Sequence, residues 1–545
     1  MILKGNSTTQ KLRGAYYTPL LLAEKIIEYF KDETYLKTVL EPSCGDGVFF
    51  DALINHNIVN QFYSLNGIEI MPDESEKLVR KLSSYKNIQI KRTDFFDFYI
   101  NNEKVKRYDL ILGNPPYIRY QYLTETQRIE MSKILTSHGM KPNKLINTWV
   151  AFTVACIHLL SEQGKIAFVI PAEILQVAYA EDLRRFLIEK LSNITILAFK
   201  DLIFPDIEQE TIVFIGEKRS EQKGIRIIEF QNIEDINIAE IKKVSFQTIS
   251  NVHEKWIKYF TTKEETILLD SIKQSSSFQK LSDISLINVG VTTGNNKYFS
   301  INKATAEKFD LKDISLPLIG RSSHANSVYF NVSDWEDNIN NGKAAYLVNF
   351  PNIPFDSFST KQKEYIKWGE EKNYNAGYKC SIRENWYQIP SIWIPDAFLL
   401  RRNNFYPKFV LNYCNAISTD TMHRIKFKKG IIPERIALSY YNSITFAFTE
   451  ICGRSYGGGV LEILPGEAGN IYVPILDSIP IEIVKKTLKE VDNIIRKNEN
   501  IEYALDFVDK IILIDFLKIK KTTCTAARKI WKKLQNRRLM RSKQY

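Results

Sequence analysis

The stretch "YDLILGNPPYIRY", Tyr108 to Tyr120, decides how this chain folds. Its apolar run Leu110-Ile111-Leu112 reads as a buried strand. The run ends abruptly in Gly113-Asn114-Pro115-Pro116-Tyr117. Neither proline has an N–H and both fix φ, so they cannot continue a sheet ladder. The strand therefore stops, and an amide, a rigid carbonyl pair and an aromatic ring stand at its C-terminal edge.

Outward from this point, apolar runs alternate with helical patterns. Strands are expected at "TVLEP" (38–42), "SLNGIEI" (64–70), "IQIKR" (88–92), "YDLILG" (108–113), "KIAFVIP" (165–171), "ITILAF" (194–199) and "TIVFIG" (211–216). Helical stretches such as Leu20 to Phe30 and Trp149 to Leu160 lie between most of them. This alternation predicts a doubly wound, seven-stranded α/β domain over residues 1–220. The last two runs are close enough for an antiparallel hairpin at one edge. Residues 221–280 are charged and helix-like, 281 to about 465 are rich in aromatics and asparagines, and 470–515 return to helical periodicity. A larger irregular α+β domain is expected over 221–515.

The bulk numbers set bounds. A chain of 545 residues needs two or three domains, and 44% hydrophobic residues supports real cores. The apolar run Val150 to Leu160 is too short and too polar to span a membrane. The N-terminus lacks the apolar core of a signal peptide. Six scattered cysteines form no C-x-x-C pair, so neither a zinc site nor a disulfide framework is indicated, and a reducing cytoplasm is the default. The net charge is +11, and residues 516–545 alone carry eleven Lys/Arg and no Asp/Glu. That segment is either an electrostatic arm for phosphates or a solvated tail.

Glu41, Gly45 and Gly47 in "EPSCGDG" follow the first strand, where glycines let backbone approach a ligand. Glu69 ends the second strand, 22 residues past Gly47, a spacing at which a carboxylate can bind the two hydroxyls of a ribose. Asp94 ends the third, where it can accept from an adenine amino group. Three acidic groups at three successive strand ends describe an adenosine site. No G-K-[ST] motif accompanies them, so a nucleoside is expected in preference to a triphosphate.

The exocyclic amino group of a base is a poor nucleophile, because its lone pair is delocalised into the ring. Two acceptors, the Asn114 side-chain oxygen and the Pro115 carbonyl, would localise that pair on nitrogen, and Tyr117 can stack on the base. A methyl group on a sulfonium is then open to in-line attack, through positioning and electrostatics alone.

The ordered set "YYTP" (16–19), "EPSCGDG" (41–47), "GIEI" (67–70), "TDFF" (93–96), "NPPY" (114–117) and "IFPDIEQETIVF" (203–214) resembles the gamma-class N6-adenine DNA methyltransferases, the class of the TaqI methylase. The resemblance covers roughly residues 12–220. It implies a Rossmann-like domain in which Tyr17, Thr18 and Pro19 close over S-adenosylmethionine. It also makes Asn114 and Tyr117 catalytic and sets Phe204 on the other side of the target base. Phe152 falls where an aromatic can stack on the cofactor adenine, with helix core as its other reading. "LINVGVTTGNNKYF" (286–299) and "GRSYGGGVLEILPGE" (453–467) resemble target-recognition segments. There Gly457-Gly458-Gly459, beside Arg454 and Tyr456, is either a close approach to DNA or a glycine-rich hairpin.

The implied function is methylation of adenine N6 in duplex DNA, with the base flipped out of the helix. The implied setting is a monomer on the nucleoid of a bacterial cytoplasm, protecting DNA from a separate cognate restriction endonuclease. Three rivals remain. A protein-glutamine or RNA methyltransferase seldom carries a recognition domain of this size. In a methylase–nuclease fusion, the nuclease would have to precede Tyr16, where no room is expected. In a non-catalytic DNA specificity subunit, Asn114 and Tyr117 need not be intact.

Overall fold

The structure is a computed structural model describing residues 17–141, 146–204, 209–455 and 457–540. The chain divides into two compact units, Met1–Lys263 and Glu264–Tyr545.

The first unit is built on one sheet. Its strands are β1 (Thr38–Glu41), β2 (Ser64–Glu69), β3 (Ile88–Arg92), β4 (Tyr108–Gly113), β5 (Leu160–Pro171), β6 (Asn193–Phe199), β7 (Thr211–Glu217) and β8 (Gly224–Phe230). They lie in the order β3-β2-β1-β4-β5-β7-β6-β8. The pairs from β3 to β5 are parallel, whereas β7 runs antiparallel to both β5 and β6. Helices α1 (Leu20–Phe30), α2 (Val48–Asn55), α3 (Pro72–Lys81), α4 (Phe95–Asn102), α5 (Glu125–Ser137), α6 (Thr148–Leu159) and α7 (Glu181–Lys190) punctuate the strands. Parallel strands covered on both faces read as continuous apolar runs, and β4 and β6 are buried along nearly their whole length. The chain winds outward from β1 through β2 to β3, then returns to β4 on the other side of β1. That reversal opens a crevice at the C-terminal ends of β1 and β4, where such sheets bind ligands.

All seven expected strands are present, and β6 and β7 form the anticipated hairpin. β7 is interior, however, and the edge belongs to an eighth strand, β8, parallel to β6. Residues 224–230 lie in the segment that the charge pattern assigned to helix. Arg226 is the cause of that misreading. Its guanidinium is buried, donating to the Thr195 hydroxyl at 2.8 Å, the Tyr29 hydroxyl at 2.9 Å and the Val244 carbonyl at 3.0 Å, with the Phe246 ring 4.4 Å away. A charge satisfied this completely by protein groups can be buried on the edge strand of a sheet. The first unit accordingly runs past residue 220, to Lys263.

The second unit contains a five-stranded sheet of β9 (Ser285–Val289), β10 (Tyr329–Phe330), β11 (Ala397–Leu400), β12 (Phe409–Asn412) and β13 (Met422–Phe427), in the order β9-β13-β11-β12-β10. The helical periodicity after residue 470 appears as helices Ile481–Arg496 and Ile501–Val508.

The basic C-terminal segment is neither a free arm nor a solvated tail over its described residues. Lys521–Met540 is a helix that buries Ala527, Ile530 and Trp531. Several of the segment's cations are paired within the unit, while Lys518, Lys520, Lys521 and Lys529 are exposed. Arg538 pairs with the buried Glu450 at 2.9 Å, and Arg528 bridges Asp506 and Asp509. Among the described residues, no helix is long and apolar enough to cross a membrane.

Candidate active site

The crevice holds a cavity of ≈ 330 Å³. Four strand ends feed it in succession. Glu41 closes β1, Glu69 closes β2, Asp94 follows β3, and Asn114 follows β4. Glu69, Asp94 and Asn114 line the cavity together with Gly45, Phe152 and Tyr17.

The turn after β1 is glycine-dependent at two points. Gly45 has φ +50° and Gly47 φ +81°, both left-handed, and a Cβ at Gly47 would collide with Leu78. Gly47 also stands at the N-cap of α2. A Cβ at Gly45 would meet the Tyr17 ring at 3.6 Å, so Tyr17 packs over the turn from the segment entering α1. Tyr17 is 45% exposed, Thr18 is buried, and Pro19 is the N-cap of α1.

Each carboxylate has a distinct position. Glu69 accepts from the Gly45 N–H and from the Met71 N–H, both at 2.8 Å. It therefore shapes the glycine turn while lining the cavity. Asp94 caps α4 by accepting from the Phe96 N–H at 2.8 Å, and its other oxygen accepts from the Gln127 amide at 3.0 Å. Glu41 differs from both. It is buried, and its Oε2 has no hydrogen-bond partner among the described residues. Burial, reinforced by the nearby Asp46 and Glu69 carboxylates, pushes its pKa well above the ordinary glutamate value.

The segment after β4 is held from both ends. The Ser43 hydroxyl donates to the Asn114 carbonyl at 3.3 Å. The Tyr117 ring is buried, and its hydroxyl donates to the Val169 carbonyl on β5 at 3.0 Å. Asn114 and Pro116 line the cavity, whereas Pro115 and Tyr117 are buried beside it. Thr148, the first residue of α6, ties the loop down. Its hydroxyl donates to the Pro116 carbonyl and accepts from the Ile118 N–H at 3.0 Å, while its own N–H donates to the Ile118 carbonyl at 3.0 Å. Phe152, one turn further along α6, stacks on Phe95 with ring centroids 4.5 Å apart and also lines the cavity. It thus belongs to the helix core and at the same time forms part of the cavity wall.

Phe204 is buried in the apolar core with Phe199 and Val213 and does not line this cavity. Residues 205–208, which follow it, lie outside the described residues, as do Tyr16 and Tyr456. In the second unit, Arg454 pairs with Glu467 at 2.6 Å, and the Gly459 carbonyl accepts from Arg538 at 2.6 Å. The glycine turn is thereby fastened to the C-terminal helix.

Two residues that shape the site are absent from the sequence reading. Gln127 belongs to a capping box with Thr124, whose N–H donates to the Gln127 Oε1 at 3.2 Å, so the amide is oriented with its NH₂ toward Asp94. The T-x-x-Q pattern marks the helix start, but nothing local points to Asp94. Thr148 follows an asparagine at the start of an apolar helix, which signals a helix N-terminus and not a loop clamp.

The fold and this crevice define a doubly wound methyltransferase-type domain, and comparison with known proteins places the chain more narrowly. A model of the Eco57I restriction-modification methylase matches residues 24–204, and one of the C-terminal domain of Type II methyltransferase M.Eco57I matches residues 253–513. The chain belongs to this family of restriction-modification methylases. It is 24% identical over 525 residues to Type II methyltransferase M.AccI of Acinetobacter calcoaceticus, covering 92% of this chain and 93% of that relative. To Type II methyltransferase M.HindII of Haemophilus influenzae it is 24% identical over 515 residues, covering 89% and 93%. The structure of the Type IIL restriction-modification enzyme MmeI in complex with DNA shares the fold, with a TM-score of 0.57 at 14% identity over 98% of this chain and 80% of that one.

Proposed function

We propose that the chain transfers a methyl group from S-adenosylmethionine to N6 of an adenine flipped out of duplex DNA. The observation that carries this reading is the single cavity in which Glu69, Asp94 and Phe152 meet Asn114 at the switch point of the sheet. The residues present fit the cofactor. The orphaned, buried Oε2 of Glu41 is suited to a cationic or N–H-bearing group, because burying a carboxylate without a partner is costly. Glu69 retains lone pairs for ribose hydroxyls, Asp94 retains one for an amino group, and Phe152 offers a ring face. When bound, S-adenosylmethionine supplies an electrophilic methyl group.

The remaining work belongs to the chain. Asn114 and the Pro115 carbonyl accept from the target amino group and concentrate its lone pair on nitrogen. Thr148 and the Tyr117 hydroxyl fix the loop that carries them. The tight-packed loop excludes water from the nucleophile and holds it in line, which is where the rate enhancement arises. Phe204 is proposed as the second aromatic wall once DNA is engaged, with Tyr117 as the first. Tyr17, Thr18 and Pro19 are proposed to close over the cofactor.

The biological setting proposed with it is the one implied by the sequence resemblance. The enzyme marks host DNA against a cognate restriction endonuclease, acts as a monomer, and works in the bacterial cytoplasm on the nucleoid. Asn114→Ala tests the assignment. Cofactor affinity by calorimetry is expected to stay within a few-fold of wild type, while methyl transfer to a duplex containing the site is lost. Retention of near-wild-type transfer would remove Asn114 from the chemistry.

A further inference from the structure

The second unit contains a larger open groove of ≈ 1200 Å³, lined by the end of β9, the segment 379–393, and Arg424 of β13. β9 is the edge strand of its sheet and pairs antiparallel with β13, so that Asn288 lies directly opposite Arg424. Directly opposed residues project on one face with side chains about 5 Å apart. The sequence pattern thus delivers an amide and a guanidinium side by side into the groove.

Arg424 is built in. It is only 8% exposed, and its guanidinium donates to the Val289 carbonyl at 3.0 Å and the Ser391 carbonyl at 3.3 Å. The Trp393 ring lies 4.5 Å from it. Among the described residues it has no carboxylate within ion-pair distance, and burial alone lowers its pKa from the usual arginine value. A buried guanidinium without a counter-charge is costly, so an acceptor from outside the protein is called for. The groove around it adds Lys379 and Arg383, against the single acid Glu384, together with the amides Asn349, Asn352 and Gln388. Val289 and Ile382 place exposed apolar surface at the same opening.

We infer that this groove reads base edges of the duplex, with Arg424 and Asn288 as a paired reader of adjacent bases. The inference rests on the DNA reading proposed above. A mobile lysine suffices for a phosphate, whereas a guanidinium immobilised by two carbonyls and an indole face is prepared for a directional target. Guanine presents such a target in its O6/N7 edge, and adenine presents N6/N7 to an asparagine. Ile382 and Val289 match the thymine methyl group in kind.

The test uses full-length enzyme and the site that methylated-base sequencing of the wild type defines. Competition binding between that duplex and versions substituted at each position is measured for wild type, Arg424→Lys and Asn288→Ala. Arg424→Lys keeps the charge and loses the fork. The expected result is a loss of discrimination of about 10- to 100-fold at one G·C position, with other positions unchanged. Asn288→Ala, at an exposed strand position, is expected to relax discrimination at a neighbouring base pair and leave folding intact. Unchanged discrimination in both variants overturns the inference. So does a loss of affinity that is uniform over all the duplexes, which marks a contact that positions the protein without reading bases. Because the readout is binding, it is independent of the base modified. A protein that methylates another base, yet loses discrimination in Arg424→Lys, refutes the adenine reading and keeps the groove.

Discussion

Replacing Thr148 with valine removes one oxygen atom and tests whether the loop after β4 must be held for catalysis. The side chain is 2% exposed, so no water replaces the lost hydroxyl. Two groups lose their partner, the Pro116 carbonyl and the Ile118 N–H, while the backbone bond from Thr148 N–H to the Ile118 carbonyl survives. An orphaned buried group costs about 1–3 kcal/mol, and relaxation of the loop recovers part of the sum. A residual of about 1.5–3 kcal/mol in the geometry of Asn114 corresponds to roughly a 10- to 150-fold fall in rate. Single-turnover transfer to a duplex at saturating cofactor reads this directly, with calorimetry of cofactor binding as the control. Thr148→Ser, which keeps the hydroxyl, is expected to recover most of the rate. If Thr148→Val lowers the melting temperature but leaves the transfer rate unchanged, the clamp is structural only and the reasoning is refuted.

Glu69→Ala is expected to weaken cofactor binding roughly ten- to a hundred-fold, since it removes a charged acceptor and loosens the Gly45 turn; unchanged affinity in calorimetry removes Glu69 from the site. Glu41→Gln separates stability from function. Because the folded-state pKa of Glu41 is raised, the stability linked to its protonated form is present below the ordinary value of 4.5 and lost as pH rises through the folded pKa. The glutamine variant is therefore expected to melt higher than wild type at pH 8 without cofactor, to converge with it below about pH 4.5, and to bind cofactor more weakly; a lower melting temperature at pH 8 contradicts this. Glu450→Ala strands the buried Arg538 and is expected to cost about 3–5 kcal/mol, roughly 6–20 °C in melting temperature. Deleting residues 518–545 is accordingly expected to destabilise the second unit, seen as lost cooperativity in its unfolding; intact unfolding with only a flattened salt dependence of DNA binding would restore the segment to the role of an electrostatic arm.

Legibility followed the physics of each element. Strands buried on both faces are continuous apolar runs, so β1, β2 and β4 to β7 could be read directly, with the half-exposed edge strand β3 legible from its short run Ile88-Gln89-Ile90, and the strand-end positions of Glu41, Glu69, Asp94 and Asn114 came with them. β8 was hidden because Arg226 looks like surface and becomes interior only through Thr195, Tyr29 and Val244, each remote in sequence. The C-terminal segment was misjudged for the same reason. Arg538 and Arg528 are paired with Glu450, Asp506 and Asp509 from outside the segment, which no local charge count reveals. Thr148 and Gln127 show the limit at the site itself. A threonine or glutamine at a helix start has an adequate local explanation, and its second partner is fixed only when the fold brings the loop to it.

The most direct test of the central claim is the chemical identity of the product. Purified full-length protein is incubated with S-adenosylmethionine and duplex DNA, the DNA is digested to nucleosides, and the methylated species are identified by mass spectrometry. The site built from Asn114, the Pro115 carbonyl and Tyr117 predicts N6-methyldeoxyadenosine as the methylated nucleoside from the wild type, and its disappearance in Asn114→Ala. Methylated cytosine from the wild type, or undiminished N6-methyldeoxyadenosine from Asn114→Ala, would contradict it.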